Sequence, residues 1–303
     1  MSKKEMVLGT RGSRLALCQA EEVRTMLVDK IPGIEARIQI IKTEGDLDRS
    51  SPLTAFGGRG AFVKSIESSL LAGRIDAAVH SLKDLPSRLP EGLVLGAVPV
   101  REDPRDVLVT GNGCDFFSLQ PGSTVGTGSE RRRSQILDLR PDICCKGIRG
   151  NVETRLRKCD EGAFDAVILA AAGMSRLGLL SRVSQYFEPD MVLPAPCQGA
   201  IGVECREDDS DTREVLEQIN DPGIRACVDT ERTFIALLGM GCHTPVGAFA
   251  KTRGEDIIFR AYVHYGDHGG TLRSTIHTVK KNARNEACEL AREFRKKIDR
   301  DNP

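Results

Sequence analysis

Apolar runs of strand length alternate with stretches of helical periodicity along most of the chain, separated by polar turns rich in Gly, Ser and Asp. Met6 to Gly9 predicts a strand, and Leu15, Leu17, Cys18, Ala20, Val23 and Leu27 then keep one helical face to about Lys30. After the Pro32-Gly33 break, Ala36 to Ile40 alternates like a second strand. Residues 43–60 are polar and show no period, as a long functional loop would. A helix is predicted from Phe62, carrying Val63, Ile66, Leu70 and Leu71 and closed by Gly73. The buried run Asp76 to Ser81 leads into Lys83-Asp84-Leu85-Pro86, and Leu93 to Val98 completes a first α/β unit.

A polar, Pro-flanked stretch from Pro99 to Pro104 predicts a crossing into a second unit. There, strands at Val107 to Thr110, Ser123 to Val125, Ile143 to Gly147 and Phe164 to Ala170 alternate with helices that begin near Ser129 and Val152, and a short helix after Gly173 holds Arg176. Pro194 and Pro196 precede a strand at Ala200 to Glu204 and mark a crossing back. A long amphipathic helix from Asp221, strands near Val246 to Ala250, Ile257 to His264 and Leu272 to Thr278, and a terminal helix from Arg284 predict a small α+β domain. The whole reads as an α/β protein of two lobes joined by two hinge crossings, in the manner of periplasmic binding proteins, with a small C-terminal domain. The expected boundaries are 1–99 with 197–217, 100–196, and 218–303.

Charge changes the picture in one region. Basic and acidic residues both number 43, so the chain is neutral overall. Residues 126–157 nonetheless gather Arg131, Arg132, Arg133, Arg140, Arg149, Arg155, Arg157 and Lys146 against Glu130, Asp138, Asp142 and Glu153. Ser129 reads as a helix N-cap and Arg149-Gly150-Asn151 as the turn into a second helix. Two such turns, with backbone N–H groups and bidentate Arg side chains at helix beginnings, predict a site for carboxylate or phosphate. The competing reading is a solvated basic face. Cations at helix N-termini oppose the dipole, so something must offset them, and a bound polyanion would.

Lys83 and Asp84 fall at the carboxyl end of a strand, where open α/β sheets place ligands. Asp84 alone fits a turn former, and beside Lys83 and the arginines it fits a carboxylate tuned by cations. Mid-strand His80 reads as a core histidine. Cys242 follows Gly239-Met240-Gly241 on a loop between helix and strand, where covalent attachment competes with simple burial. The 10 cysteines show no C-x-x-C spacing, so neither a zinc site nor a disulfide framework is expected, and no metal is predicted. No apolar run has membrane-spanning length, and the N-terminal residues lack a secretory apolar core, so a cytoplasmic location is expected. With no Trp and 4% aromatics, the composition counts against base-stacking platforms for single-stranded nucleic acid.

The segments GTRGSRLALCQA at 9–20, TEGD at 43–46, GGRGAFVKSIE at 57–67, DAAVHSLKDLP at 76–86, REDPRDV at 101–107, GTGSERRRSQ at 126–135, RGNVETRL at 149–156, LPAPCQGAIGVECR at 193–206 and ERTFIALLGMGCHTPVGA at 231–248 resemble the hydroxymethylbilane synthase (porphobilinogen deaminase) family over essentially the whole chain. The resemblance implies type II periplasmic-binding-protein-like lobes and a covalent dipyrromethane cofactor held by a thioether to Cys242. It implies a transferase that joins four porphobilinogen units head to tail with loss of ammonia and releases hydroxymethylbilane with water. Every pyrrole brings an acetate and a propionate, so the growing polypyrrole chain is a polycarboxylate, which suits the Arg inventory. By resemblance Asp84 is the acid/base that helps protonate the departing amine, stabilises the azafulvenium cation and assists deprotonation. Lys83, Thr127, Ser129, Arg131, Arg132 and Arg155 match cofactor-holding positions. Arg11, Ser13, Arg149, Asn151, Arg176 and Gln198 match substrate-side positions, and Gln19 and Phe62 are carried over as an elongation-path and a ring-packing residue. A monomer without nucleic-acid, membrane or metal partners is expected.

Two departures stand out: Cys197 occupies a position that is Gly in many relatives, and Met240 replaces the first Gly of the commoner Gly-Gly-Cys. Arg133 is an additional cation without an assigned role. The competing function is a cytosolic two-lobed anion-binding or sensor protein without catalysis.

Overall fold

The structure, a computed structural model, describes residues 4–42, 63–239, 245–266 and 270–301. In chain order its elements are β1 (Glu5–Thr10), α1 (Arg14–Lys30), β2 (Glu35–Ile40), α2 (Lys64–Leu71), β3 (Ala77–Ser81) and β4 (Leu93–Ala97). Next come β5 (Asp106–Thr110), β6 (Thr124–Gly126), α3 (Glu130–Leu139), β7 (Cys144–Lys146), α4 (Val152–Asp160), β8 (Ala166–Ala170), α5 (Ala171–Arg176) and β9 (Gln185–Phe187). The remainder is β10 (Ile201–Arg206), α6 (Ser210–Glu217), α7 (Pro222–Leu238), β11 (Val246–Arg253), β12 (Asp256–Tyr265), β13 (Gly270–Val279) and α8 (Lys280–Asp301). These pack as two compact units, residues 1–101 with 200–225, and residues 102–199 with 226–303.

The first unit is built on a five-stranded sheet in the order β2-β1-β3-β10-β4. On one face Ala20, Val23 and Leu27 of α1 pack with Met6, Leu8, Ala77 and Val79; on the other lie Ile66, Leu70, Ile75, Ala78 and Leu93. Burial on both faces explains why β3 and β10 lack the apolar/polar alternation of a half-exposed strand. The second unit carries a five-stranded sheet in the order β7-β6-β8-β5-β9, also covered on both faces. The two sheets share one plan. In each, the first three strands of an α/β run are parallel, and the strand inserted next to the third comes from beyond a crossing and runs antiparallel: β10 after residue 200, β5 after residue 102. This is the mixed α/β arrangement expected from the pattern. The C-terminal part adds an antiparallel sheet, β11-β12-β13, against α7 and α8, where Phe234 meets Phe259 and Phe294 edge-to-face.

Two elements escape the periodicity. Helix α6, SDTREVLE, offers only Val215 and Leu216 as fully buried apolar positions and depends on its Asp209 cap, which accepts from Thr212 N–H at 2.9 Å. Strand β9 has only three residues, pinned through Gln185, whose Oε1 accepts from Phe116 N–H at 2.7 Å.

Where the chain returns toward β10, Cys197 adopts φ 61° and Gly199 φ 88°. A Cβ on Gly199 would lie 2.2 Å from the Glu102 carbonyl oxygen, so only glycine fits there. Cys197 is the one non-glycine residue with positive φ among the described residues, a backbone conformation that favours glycine. Its N–H donates to the buried Glu231 at 2.5 Å, and Glu231 also accepts from Ala250 N–H at 2.7 Å, so a single carboxylate ties the turn to β11. In the first unit, three titratable groups are buried together: His80 on β3, Glu204 on β10 and Glu67 on α2. His80 Nε2 lies 3.2 Å from Glu204 Oε2, so the predicted core histidine has an acidic neighbour. Burial, and then the Glu204 carboxylate, push Glu67 above its ordinary value of 4.5 against the opposing pull of His80 and Lys64.

Two outcomes follow from these placements. Both Cys197→Gly and Cys197→Ala remove the thiol, but only Gly relieves the left-handed backbone, so in urea melts the Gly protein should exceed the Ala protein by about 1 kcal/mol; an equal or more stable Ala protein would contradict the assigned backbone. For Glu67, the folded state holds its proton more tightly than the unfolded state does. Stability is therefore lost as pH rises above about 4.5 toward the folded value. Glu67→Gln should flatten that fall and be the more stable protein at neutral pH; an unchanged pH slope would show that Glu67 is not titrating in this window.

Candidate active site

The first unit presents its candidate residues at the carboxyl ends of parallel strands. Because β1 and β3 run parallel with Leu8 opposite Ala77, Thr10 and Ser81 end at the same sheet edge. From the first end come Arg11 and Ser13, from the second Lys83 and Asp84. Ser13 caps α1, its Oγ accepting from Ala16 N–H at 3.2 Å, so its side chain is already part of the turn. Gln19 is buried one turn further along α1, and its Oε1 accepts from Ser81 Oγ at 2.9 Å. That bond fixes the end of β3, immediately before the short 3₁₀ turn Leu82–Asp84. Leu82 anchors the turn in the core while Lys83 is half-buried and Asp84 exposed. Asp84 is thus held by backbone and by its neighbours' burial and keeps its carboxylate accessible.

The second unit repeats the placement. Strands β6, β7 and β8 are parallel, and their carboxyl ends lead to Thr127 and α3, to Arg149 and α4, and to α5 with Arg176 in its last turn. Ser129 is the predicted N-cap, accepting from Arg132 N–H at 3.5 Å, and Thr127 Oγ1 accepts from Ser129 N–H at 3.2 Å. Asn151 caps α4 through Thr154 N–H at 2.9 Å. Arg155 Nε donates to the Gly150 carbonyl at 2.8 Å and Arg176 to the Gly199 carbonyl at 3.1 Å. Arg149 is exposed and Arg155 half-buried.

Arg131 and Arg132 differ from the rest. Both are about 95% buried and converge on Asp106, which has no exposed surface. Arg132 donates to Asp106 Oδ1 through Nε at 3.0 Å and its Nη2 at 2.7 Å, and Arg131 Nη2 lies 2.8 Å from Oδ2. Gln198, also buried, donates to the same Oδ1 at 2.9 Å and to the Pro104 carbonyl at 2.7 Å. Burial works to raise the Asp106 carboxyl. The Arg131 and Arg132 charges, with the Arg132 and Gln198 hydrogen bonds, override it and hold Asp106 well below the usual carboxylate range. The sequence argument that cations at the start of α3 call for a bound polyanion is therefore narrowed: Asp106 balances one of the two charges of this pair from within the fold. Much of the remaining Arg run is paired as well, Arg133 with Glu130, Arg140 with Asp142 and Arg157 with Glu161.

Asp106 was not singled out by sequence, although an acid opening the apolar run Val107 to Val109 is a legible signal, since a buried strand carries a charge only where partners wait. Phe62 and Cys242, and the loop at 43–60, lie outside the described residues. Within each unit the described candidates share one sheet edge. A donor set of Arg, Lys, Ser, Thr and Asn around strand ends fits a ligand with several carboxylates.

Residues 6–214 match the family model described as "Porphobilinogen deaminase, dipyromethane cofactor binding domain", and residues 225–299 match "Porphobilinogen deaminase, C-terminal domain". The chain is 50% identical over 250 residues to a protein named porphobilinogen deaminase from Syntrophobacter fumaroxidans, covering 82% of this chain and 81% of the relative. It is 44% identical over 291 residues to one of the same name from Syntrophotalea carbinolica, covering 96% and 92%. Among solved structures, it is similar to the methionine binding protein MetQ, with 12% identity and a TM-score of 0.47 over 73% of this chain and 92% of that one.

Proposed function

The chain belongs to the porphobilinogen deaminase family, transferases that join porphobilinogen units with loss of ammonia on a dipyrromethane cofactor, and we propose how its own residues divide that work. Asp84 is the acid/base. Its accessible carboxylate at the end of β3 offsets the positive charge left on the pyrrole as ammonia departs, and takes up the proton released once the new carbon–carbon bond has formed. The single observation that carries this is the placement of Lys83-Asp84 at a carboxyl edge whose last turn is anchored by Leu82 and by the Gln19–Ser81 hydrogen bond.

Lys83, Thr127, Ser129, Arg131, Arg132 and Arg155 would hold the cofactor's carboxylates, and Cys242 would carry it through a thioether. When bound, the dipyrromethane supplies the pyrrole carbon that primes elongation. Arg11, Ser13, Arg149, Asn151, Arg176 and Gln198 orient substrate carboxylates, with Gln19 and Phe62 along the elongation path. For Ser13, Asn151 and Gln198 the side-chain bonds already made in the fold give the role a definite form: each fixes backbone or charge beside the ligand. A monomer acting in the cytoplasm without a metal, and a three-part division at 1–99 with 197–217, 100–196 and 218–303, belong to the same proposal. Among the described residues no helix is long and apolar enough to cross a membrane. The family match does not favour a non-catalytic anion binder.

Asp84→Asn should fold, keep the mass of a dipyrromethane adduct, and lose activity by about a hundredfold or more in ammonia release from porphobilinogen; near-normal release would remove Asp84 from its role. Cys242→Ala should give a folded protein with the unmodified mass. An adduct persisting in that variant and mapped to Cys197 would move the attachment point there.

A further inference from the structure

The second unit spends a fully buried carboxylate on two adjacent arginines, and its geometry does more than neutralise them. Consecutive helix residues point about 100° apart, yet Arg131 and Arg132 meet on Asp106 because that carboxylate faces one oxygen to each. Each guanidinium is also tied to a backbone carbonyl on a different segment. Arg131 Nη1 donates to Leu193 at 2.6 Å, and Arg132 Nη1 donates to Ile168, on β8, at 2.8 Å. Two contacts in different directions fix the plane of a guanidinium, whereas one would let it turn. The Leu193 segment is itself locked. Buried Gln135 of α3 accepts from Leu193 N–H at 2.8 Å and donates to the Leu193 carbonyl at 3.1 Å. The third ligand of Asp106 is Gln198. Asp106 thus joins Arg131, Arg132 and Gln198, which family resemblance assigns to the ligand, although it stands apart from them in sequence and is an anion where the arginines are cations.

We propose that Asp106 is the positioning residue of the cofactor site: its buried carboxylate, itself anchored by the Gln198 amide, holds the Arg131 and Arg132 planes in one array that receives the carboxylates of the dipyrromethane. This rests on the reading that Arg131 and Arg132 hold that cofactor. Two guanidinium groups side by side repel. With Asp106 between them they stand together with one net positive charge, enough to attract an anion while their planes are set before it arrives. A counter-ion needed for folding alone could be replaced by apolar packing of similar volume, as buried ion pairs often can. A pre-set array cannot be replaced in that way, because its value is the direction of the donors.

Asp106→Glu separates the two roles, since it keeps the charge and shifts the carboxylate by about one methylene. The purified protein should melt cooperatively near the wild-type temperature. Intact-protein mass spectrometry should nonetheless find many chains without the adduct, and kcat/KM for porphobilinogen should fall by about tenfold or more. Asp106→Asn should load no better and melt lower. If the Asn protein is insoluble, the Glu protein decides alone. Arg132→Gln controls for the underlying reading. Full adduct occupancy and wild-type kinetics in Arg132→Gln would overturn both the reading and the proposal. Impaired Arg132→Gln beside a folded Asp106→Glu with wild-type occupancy and kinetics would overturn the positioning role only.

Discussion

A carboxylate without solvent contact, Asp106, is the constraint on which the second unit is arranged. Taken out of water alone, it would cost several kcal/mol or take up a proton. It remains charged because Arg131, Arg132 and Gln198 close around it, and these come from the start of α3 and from the turn before β10. Removing one member of such a buried set strands the others and typically costs about 3–5 kcal/mol. The ion cluster therefore fixes more than two side chains. It holds the N-terminal turn of α3 against β5 and β8 and sets the residues leading into the Cys197 turn.

Sheet topology explains why the candidate residues gather where they do. In both units, parallel strands send their carboxyl ends to one edge, and the loops leaving that edge carry Arg11, Ser13, Lys83 and Asp84 in one unit and Thr127, Ser129, Arg149, Asn151 and Arg176 in the other. Helix caps at Ser13, Ser129 and Asn151 leave each turn with a defined shape. The strands supply rigidity and the turns present the candidate side chains. Elsewhere the same logic produces structural carboxylates: Glu231 spends both oxygens on backbone N–H groups of Cys197 and Ala250, and Glu204 stands beside His80 in the first unit's core.

Much of this was legible in the residues. The strands around Met6, Asp76, Val107 and Phe164, the helix starting after Ser129 and the C-terminal α+β order follow from periodicity, because each is long enough or apolar enough to bury a face. Helix α6 and β9 were not, since their apolar content is too small and a cap or a single side-chain bond holds them instead. The candidate residues were legible as a family pattern, but their local partners were not. Charge counting assigned the α3 arginines to an external anion, and the structure gives Arg131 and Arg132 an internal one from 25 residues earlier in the chain, a pairing that only the antiparallel insertion of β5 beside β8 creates. Cys197 shows the converse. Its oddity was visible as a departure from Gly, and its meaning is the left-handed backbone at that turn.

The central claim is that this preset basic array receives the carboxylates of the tethered oligopyrrole. A crystal structure of the cofactor-loaded protein tests it most directly. The account predicts cofactor carboxylate oxygens about 2.7–2.9 Å from guanidinium nitrogens of Arg131 and Arg132, with both side chains still on Asp106. Cofactor carboxylates bound elsewhere, with these two arginines touching only Asp106 and backbone carbonyls, would contradict it.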